Sequence, residues 1–175
     1  MTRTVAISIK RRSLTAAVAL AGALLATSPA LRAADTPEPT PAKVADPLAP
    51  ARAHIAAKRW TAAIDDLRKV NATGSADWNN LMGYSLRKQA TPDLDGAQRH
   101  YDAALRIDPR HRGALEYSGE LALIKGELPV AEQKLDALAR ACVGPCEEVD
   151  DLRGAIERYK GNGNRYVPGA GRYGS

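Results

Sequence analysis

Apolar residues in the central part of the chain recur at helical spacing. Two windows carry apolar side chains three, four, seven or eight residues apart: Trp78, Leu81, Met82 and Leu86, and then Ala97, Tyr101, Ala104 and Leu105. This spacing is typical of one face of an amphipathic helix. Between residues 46 and 160, no alternation of apolar and polar residues is long enough to indicate a strand. The pattern therefore predicts an all-α domain.

The helical pattern repeats with a fixed period. Ala63, Ala97 and Ala131 are separated by 34 residues each. A larger apolar residue follows each alanine four positions later: Leu67, Tyr101 and Leu135. Two helices approach closely where a small side chain of one faces a large side chain of the other. The repeat therefore predicts helical hairpins stacked on copies of themselves.

One further helix is predicted after the last repeat, over residues 146–160. Its apolar residues share one face: Val149, Leu152, Ile156 and Tyr159. Pro145 precedes it, where a proline is compatible with a first helical turn. Acidic residues crowd the N-terminal end, where the helix dipole favours them. Because the last repeat of a stack exposes an apolar face, we expect this helix to cover that face as a cap.

A 34-residue period with these small and large residues resembles the tetratricopeptide repeat family. The middle unit matches the family pattern at Gly83, Leu86, Ala97, Tyr101, Ala104 and Pro109. The third unit matches at Leu115, Gly119, Ala122, Gly126, Ala131, Leu135 and Leu138. The first unit matches less well, at Ala51, Trp60, Ala63, Leu67 and Val70. The resemblance implies an α-α superhelix with repeats at about 51–75, 76–111 and 112–145, closed by the C-terminal capping helix.

The resemblance also implies a concave groove, lined by the first helix of each hairpin, that binds a peptide or protein partner. The candidate groove residues are those of the first helices that do not pack: Arg52, Asn80, Tyr84, Arg87, Lys88, Glu116, Glu120, Leu123 and Ile124. The middle unit is basic here and the third unit is acidic. These charges either orient an extended partner peptide or are ordinary solvated charges on helix faces.

The N-terminal residues 1–34 have the layout of a secretory signal peptide. A basic cluster at residues 10–12 precedes an uncharged apolar run from Leu14 to Ala26 and then small residues. The run is shorter than the roughly 20 residues that span a membrane, so no stable membrane insertion is expected. We predict export to the periplasm, with a mature chain that starts between Leu31 and Asp35. Arg11 and Arg12 leave open whether export follows the general or the twin-arginine route.

Two segments of biased composition flank the predicted repeats. Residues 35–50 contain five prolines and predict an extended linker. Residues 161–175 are glycine-rich without apolar periodicity, which predicts a disordered tail. In this tail two arginines alternate with Tyr166 and Tyr173. The tail is interpreted either as a weak contact for a partner or as a solvated end.

The charge of the chain changes once the leader is set aside. The full sequence has 25 basic and 20 acidic residues, but five of the basic residues lie in residues 1–34. The remaining chain is therefore close to neutral. A net basic charge would have favoured nucleic acid or an anionic membrane as partner, and neither is expected here.

No combination of residues predicts catalysis. The three histidines, His54, His100 and His111, fall on different predicted elements without metal-ligand spacing. The chain also lacks a glycine-rich phosphate loop and a serine or cysteine nucleophile motif. We therefore expect a non-enzymatic scaffold or adaptor that binds no cofactor and no metal.

Cys142 and Cys146 are the two cysteines of the chain, and Gly144 and Pro145 lie between them. An even pair of cysteines in an exported protein predicts a disulfide. Gly144 and Pro145 interrupt the helix, so the chain can turn and bring the sulfurs together. The alternative hypothesis is a thiol-redox or metal-handling protein that acts through these two residues.

Overall fold

The protein was analysed as a computed structural model, which describes residues 45–169. This part of the chain forms seven α-helices and no strand: α1 (Ala49–Ala56), α2 (Trp60–Val70), α3 (Ala76–Lys88), α4 (Leu94–Ile107), α5 (Arg112–Ile124), α6 (Leu128–Ala141) and α7 (Glu147–Gly161). The predicted signal peptide and its cleavage site lie outside the described residues. None of the helices in residues 45–169 is long and apolar enough to cross a membrane.

Consecutive helices pack as three hairpins, α1 with α2, α3 with α4, and α5 with α6. Each hairpin also packs against the next, through α2 with α3 and α4 with α5, and the first helices of neighbouring hairpins touch. The last helix, α7, packs against both α5 and α6. The predicted all-α helical repeat fold is confirmed.

The three alanines of the 34-residue period lie at equivalent places on the second helices. Ala63, Ala97 and Ala131 are each 0% exposed, on α2, α4 and α6. Gly83 of α3 faces the same contact in the middle hairpin, where an added Cβ atom would lie 2.8 Å from Cε1 of Tyr101 and 3.1 Å from the carbonyl oxygen of Ala97. Small residues on both helices thus allow α3 and α4 to pack closely, as the period predicted.

Substituting Ala97→Leu should lower the free energy of unfolding by about 1–3 kcal/mol, because the added atoms must enter this close contact. Urea denaturation followed by circular dichroism measures the effect. Arg99→Leu provides the control, since it adds a leucine at an exposed position of the same helix and should change the stability by no more than about 0.5 kcal/mol. Equal midpoints for Ala97→Leu and the wild type would contradict the assignment of Ala97 to a tight helix contact.

The buried apolar residues form two clusters. The first cluster joins α1 to α4 and reaches Tyr117 and Leu121 of α5. The second joins α5, α6 and α7. All four residues predicted for the apolar face of the cap are buried in it: Val149, Leu152, Ile156 and Tyr159. An added Cβ atom at Gly119 would lie 2.7 Å from Cδ2 of Leu152, so the glycine leaves space on α5 for α7 to dock.

The ends of two predicted segments differ slightly from the helices observed. Helix α1 begins at Ala49, inside the range 35–50 that was predicted as linker, and Leu48 is already buried. Pro50 lies in the first turn of α1, where its missing N–H is not needed for an intrahelical bond. Proline therefore begins this helix and does not prevent it. At the other end, α7 continues to Gly161.

Candidate functional site

The predicted groove residues lie on adjacent first helices, as expected. Arg52 is on α1, four more are on α3 (Asn80, Tyr84, Arg87 and Lys88), and Glu116 and Glu120 are on α5. We call the surface formed by α1, α3 and α5 the groove face. Four of these seven residues are buried, namely Asn80, Tyr84, Arg87 and Glu116. The groove face is therefore much less open than the repeat pattern indicated.

Arg87 and Glu120 bond to each other across α3 and α5. The Arg87 Nη2 atom lies 2.6 Å from Glu120 Oε2, and the two side chains are only 2% and 14% exposed. These charges were predicted either to orient a partner peptide or to be solvated, and at this pair they are bonded to each other. The first helices of neighbouring hairpins touch, so opposite charges on them neutralise each other within the chain.

An aromatic cluster surrounds this ion pair. The ring centroids of Tyr84 and Tyr117 are 4.6 Å apart, and those of Trp60 and Tyr84 are 5.8 Å apart. The Arg87 guanidinium lies 5.5 Å from the Tyr84 centroid and 5.6 Å from that of Tyr117. Cations in this range are attracted to the ring faces. Tyr84 therefore packs against the other aromatic rings of the groove face and also attracts the Arg87 cation through its ring.

Lys88 remains partly accessible beside the aromatic cluster. Its Nζ atom lies 5.9 Å from the Tyr84 centroid. Partial burial lowers the pKa of the Lys88 ammonium, and the charge of Arg87 lowers it further. Lys88 is only half-buried, so its ammonium group can reach a ligand placed on the groove face. Leu123 cannot do so, because it belongs to the second core cluster, whereas Ile124 is half-buried.

A chain of polar contacts crosses the other end of the groove face. Arg52 Nη2 donates to Asp77 Oδ2 at 3.0 Å, and His111 Nε2 lies 2.9 Å from Asp77 Oδ1. The His111 ring also caps α5, since its Nδ1 atom accepts from the Ala114 N–H at 3.0 Å. Because Nδ1 accepts, the ring proton is on Nε2, which donates to Asp77. The Asp77 carboxylate of α3 thus connects α1 with the N-terminal end of α5.

These contacts form one wall of a polar cavity of about 310 Å³. Its lining includes Arg52, Asp77, Asn80, Arg110, His111 and Arg112. The Asn80 Oδ1 atom is buried and has no hydrogen-bond partner within residues 45–169. A buried acceptor of this kind normally has a donor. The cavity can therefore supply an acceptor from Asn80 and donors from its arginines to a ligand that carries both.

Sequence analysis did not select Asp77 or His111. The two residues are 34 positions apart, which equals the repeat period. This coincidence does not give them corresponding places in their hairpins, because Asp77 is the second residue of α3 and His111 precedes α5. The groove residues were predicted from within the first helices, whereas His111 lies one residue before α5.

The hydrogen bond from His111 lowers the pKa of Asp77, partial burial opposes this, and Arg52 lowers it further. A carboxylate with a lowered folded-state pKa adds stability above its unfolded pKa of about 3.9, and this is lost as the pH falls through the folded value. Asp77→Asn should therefore be less stable than the wild type at pH 6, with a smaller difference at pH 3. Urea denaturation at both pH values measures this. If Asp77→Asn and the wild type differed in stability by the same amount at pH 6 and pH 3, a contribution of Asp77 ionisation to stability would be contradicted.

The C-terminal segment, residues 162–169, folds back after α7, and it belongs to the range 161–175 that was predicted as a disordered tail. Gly163 and Asn164 have φ angles of 65° and 57°, and the Asn164 N–H donates to the Tyr159 carbonyl at 3.0 Å. This turn reverses the chain after α7. Tyr166 then packs against the second core cluster. Burial raises the pKa of the Tyr166 hydroxyl, Glu120 raises it further, and Arg87 opposes the change.

Cys142 and Cys146 form the predicted disulfide, with an S–S distance of 2.00 Å. Cys142 ends α6 and Cys146 precedes α7, so the bond connects the last repeat to the cap. Glu148 Oε2 lies 3.1 Å from the Cys146 sulfur. One group of potential metal ligands occurs in the described part of the chain, and it consists of these three residues. Glu148 is a third ligand that the sequence analysis did not identify.

Comparisons with known protein families, with curated proteins and with solved structures find no match to this chain. The assignment to a class of protein therefore depends on the helical repeat fold, the groove face and the disulfide.

Proposed function

We propose that this chain is a non-enzymatic scaffold or adaptor of the tetratricopeptide type, exported to the periplasm, that binds an extended segment of a partner protein on its groove face. The observation that supports this most directly is at Asn80, a residue that lines the polar cavity and whose buried Oδ1 atom has no hydrogen-bond partner within residues 45–169. A buried acceptor without a donor costs about 1–3 kcal/mol. A ligand that donates to Asn80 offsets this cost.

An extended peptide offers the groups that the cavity lacks. Its backbone N–H can donate to Asn80 Oδ1, while its carbonyl oxygens or an acidic side chain can accept from Arg110 or Arg112. The Asp77 carboxylate is already bonded to Arg52 and His111, so it holds the cavity wall in place. Export is supported separately by the disulfide, since such bonds persist in oxidising compartments.

Site-specific photocrosslinking in the native envelope tests this function. A photoreactive amino acid is placed at Arg52 or Lys88 on the groove face, and at the exposed Arg99 or Gln133 on second helices as the control. We expect one discrete crosslinked partner from the first two positions and none from the controls. Crosslinks that arise only from Arg99 or Gln133 would place the partner on the opposite surface and contradict the proposal.

The second candidate function, thiol-redox or metal handling, is favoured by the Glu148 carboxylate beside the cysteines. Two thiolates and a carboxylate are ligands that Zn²⁺ accepts, but the disulfide must first be reduced. Thiol counting on denatured, unreduced protein decides between the two functions. We expect no free thiols. Two free thiols in freshly isolated protein, together with zinc binding that Glu148→Gln weakens, would favour the metal-handling function.

A further inference from the structure

We propose that the C-terminal segment is an intramolecular ligand of the groove face, and that the partner is an extended peptide carrying a tyrosine that displaces it. This inference rests on the proposed function, because it assigns the partner to the same face. It adds the chemical class of the partner and a means by which the chain controls access to the face.

The path of the chain brings the C-terminal segment back onto α7 and the second core cluster. The turn at Gly163 and Asn164 directs the chain back along α7. Further along, Gly169 lies against the guanidinium of Arg158, which is on α7. Between these two points Tyr166 packs against the second core cluster. The segment is thus held at its start, its middle and its end.

Tyr166 packs beside two of the predicted groove residues, Arg87 and Glu120. Its ring is partly buried against apolar residues of the second core cluster, and its hydroxyl lies in the field of the Arg87–Glu120 pair. Arg87 remains only 2% exposed although it is at the end of a first helix. A tyrosine suits this place because it combines an apolar ring with a polar group at its tip.

The segment has the properties of a displaceable ligand. Apart from the turn after α7, it lacks regular secondary structure, and its attachments are one aromatic side chain, one glycine and a few turn hydrogen bonds. A segment tethered by a short linker acts at an effective concentration of the order of millimolar. A partner segment that offers a tyrosine and further contacts in the polar cavity can compete with it.

Peptide exchange tests this inference with the full chain. The probe is a fluorescent peptide of residues 161–175, titrated into the wild type and into Tyr166→Ala and followed by fluorescence anisotropy. We expect it to bind Tyr166→Ala at least about tenfold more tightly than the wild type, since the variant has lost its intramolecular competitor. The matched control is the same peptide with Tyr166→Ala, which retains Tyr173 and should bind neither chain.

Circular dichroism verifies that the variants are folded. Tyr166→Phe is the second variant, since it keeps the ring, and it should bind the probe with intermediate affinity. Equal binding to wild type and Tyr166→Ala, or binding of the control peptide, would overturn the inference. A probe that binds neither chain would also overturn the inference. If crosslinks from Arg52 or Lys88 were still obtained in that case, the proposed function would stand without the intramolecular ligand. Probe binding without those crosslinks would instead remove the proposed function and leave the intramolecular ligand.

Discussion

Leu152→Ala should lower the free energy of unfolding by about 2–5 kcal/mol. Leu152 is 0% exposed, and its Cδ2 atom occupies the space that Gly119 leaves on α5. Removing the side chain creates a cavity that is bounded by helices and closes only in part. Because α7 also packs against α6, the loss should affect the whole second core cluster. Urea denaturation followed by circular dichroism measures it.

Ile107→Ala is the control for this prediction. Ile107 is 45% exposed at the end of α4, so its truncation should change the stability by no more than about 0.5 kcal/mol. An equally small effect of Leu152→Ala would mean that α7 contributes little to the second core cluster, and its description as a cap would be wrong.

The fold could be predicted because its determinants are local and repeated. The alanines of the second helices and the apolar face of α7 are buried as their spacing indicated. Helical periodicity identifies the side of a helix that packs, since side chains three and four residues apart share one face. The period therefore predicts which side chains of a helix are buried and that they pack against another helix.

The contacts that bury residues of the groove face could not be predicted in the same way. Arg87 and Glu120 were assigned correctly to first helices, but periodicity does not tell which charge on one helix meets which charge on the next. That depends on the rotation and offset of α3 and α5. The position of Tyr166 depends on a single turn at Gly163 and Asn164, and a glycine-rich sequence without period carries no signal for it.

The residues that line the polar cavity could be predicted only in part. Arg52 and Asn80 were selected from the first helices, and both line it. The other two wall residues, Asp77 and His111, were not selected, although they bond to each other. Their contact depends on how α3 and α5 lie beside each other, which the pattern within each helix does not give.

Glu120→Ala should destabilise the protein by about 3–5 kcal/mol, because it leaves Arg87 charged and buried without its carboxylate partner. The Arg87 side chain is 2% exposed, and its Nη2 atom lies 2.6 Å from Glu120 Oε2. The double variant Arg87→Met and Glu120→Leu should recover most of the loss, since apolar residues of similar size often replace a buried pair at little cost. Urea denaturation of the wild type, of Arg87→Met, of Glu120→Leu and of the double variant gives the coupling energy.

The exposed pair of Arg153 and Asp150 provides the control for this cycle. Its atoms are also close, at 2.7 Å, but the side chains are 51% and 72% exposed. Water and salt screen such a pair, so Asp150→Ala should cost no more than about 1 kcal/mol. If Glu120→Ala cost no more than Asp150→Ala, then Arg87 would be hydrated in solution. The groove face would then be open at this point.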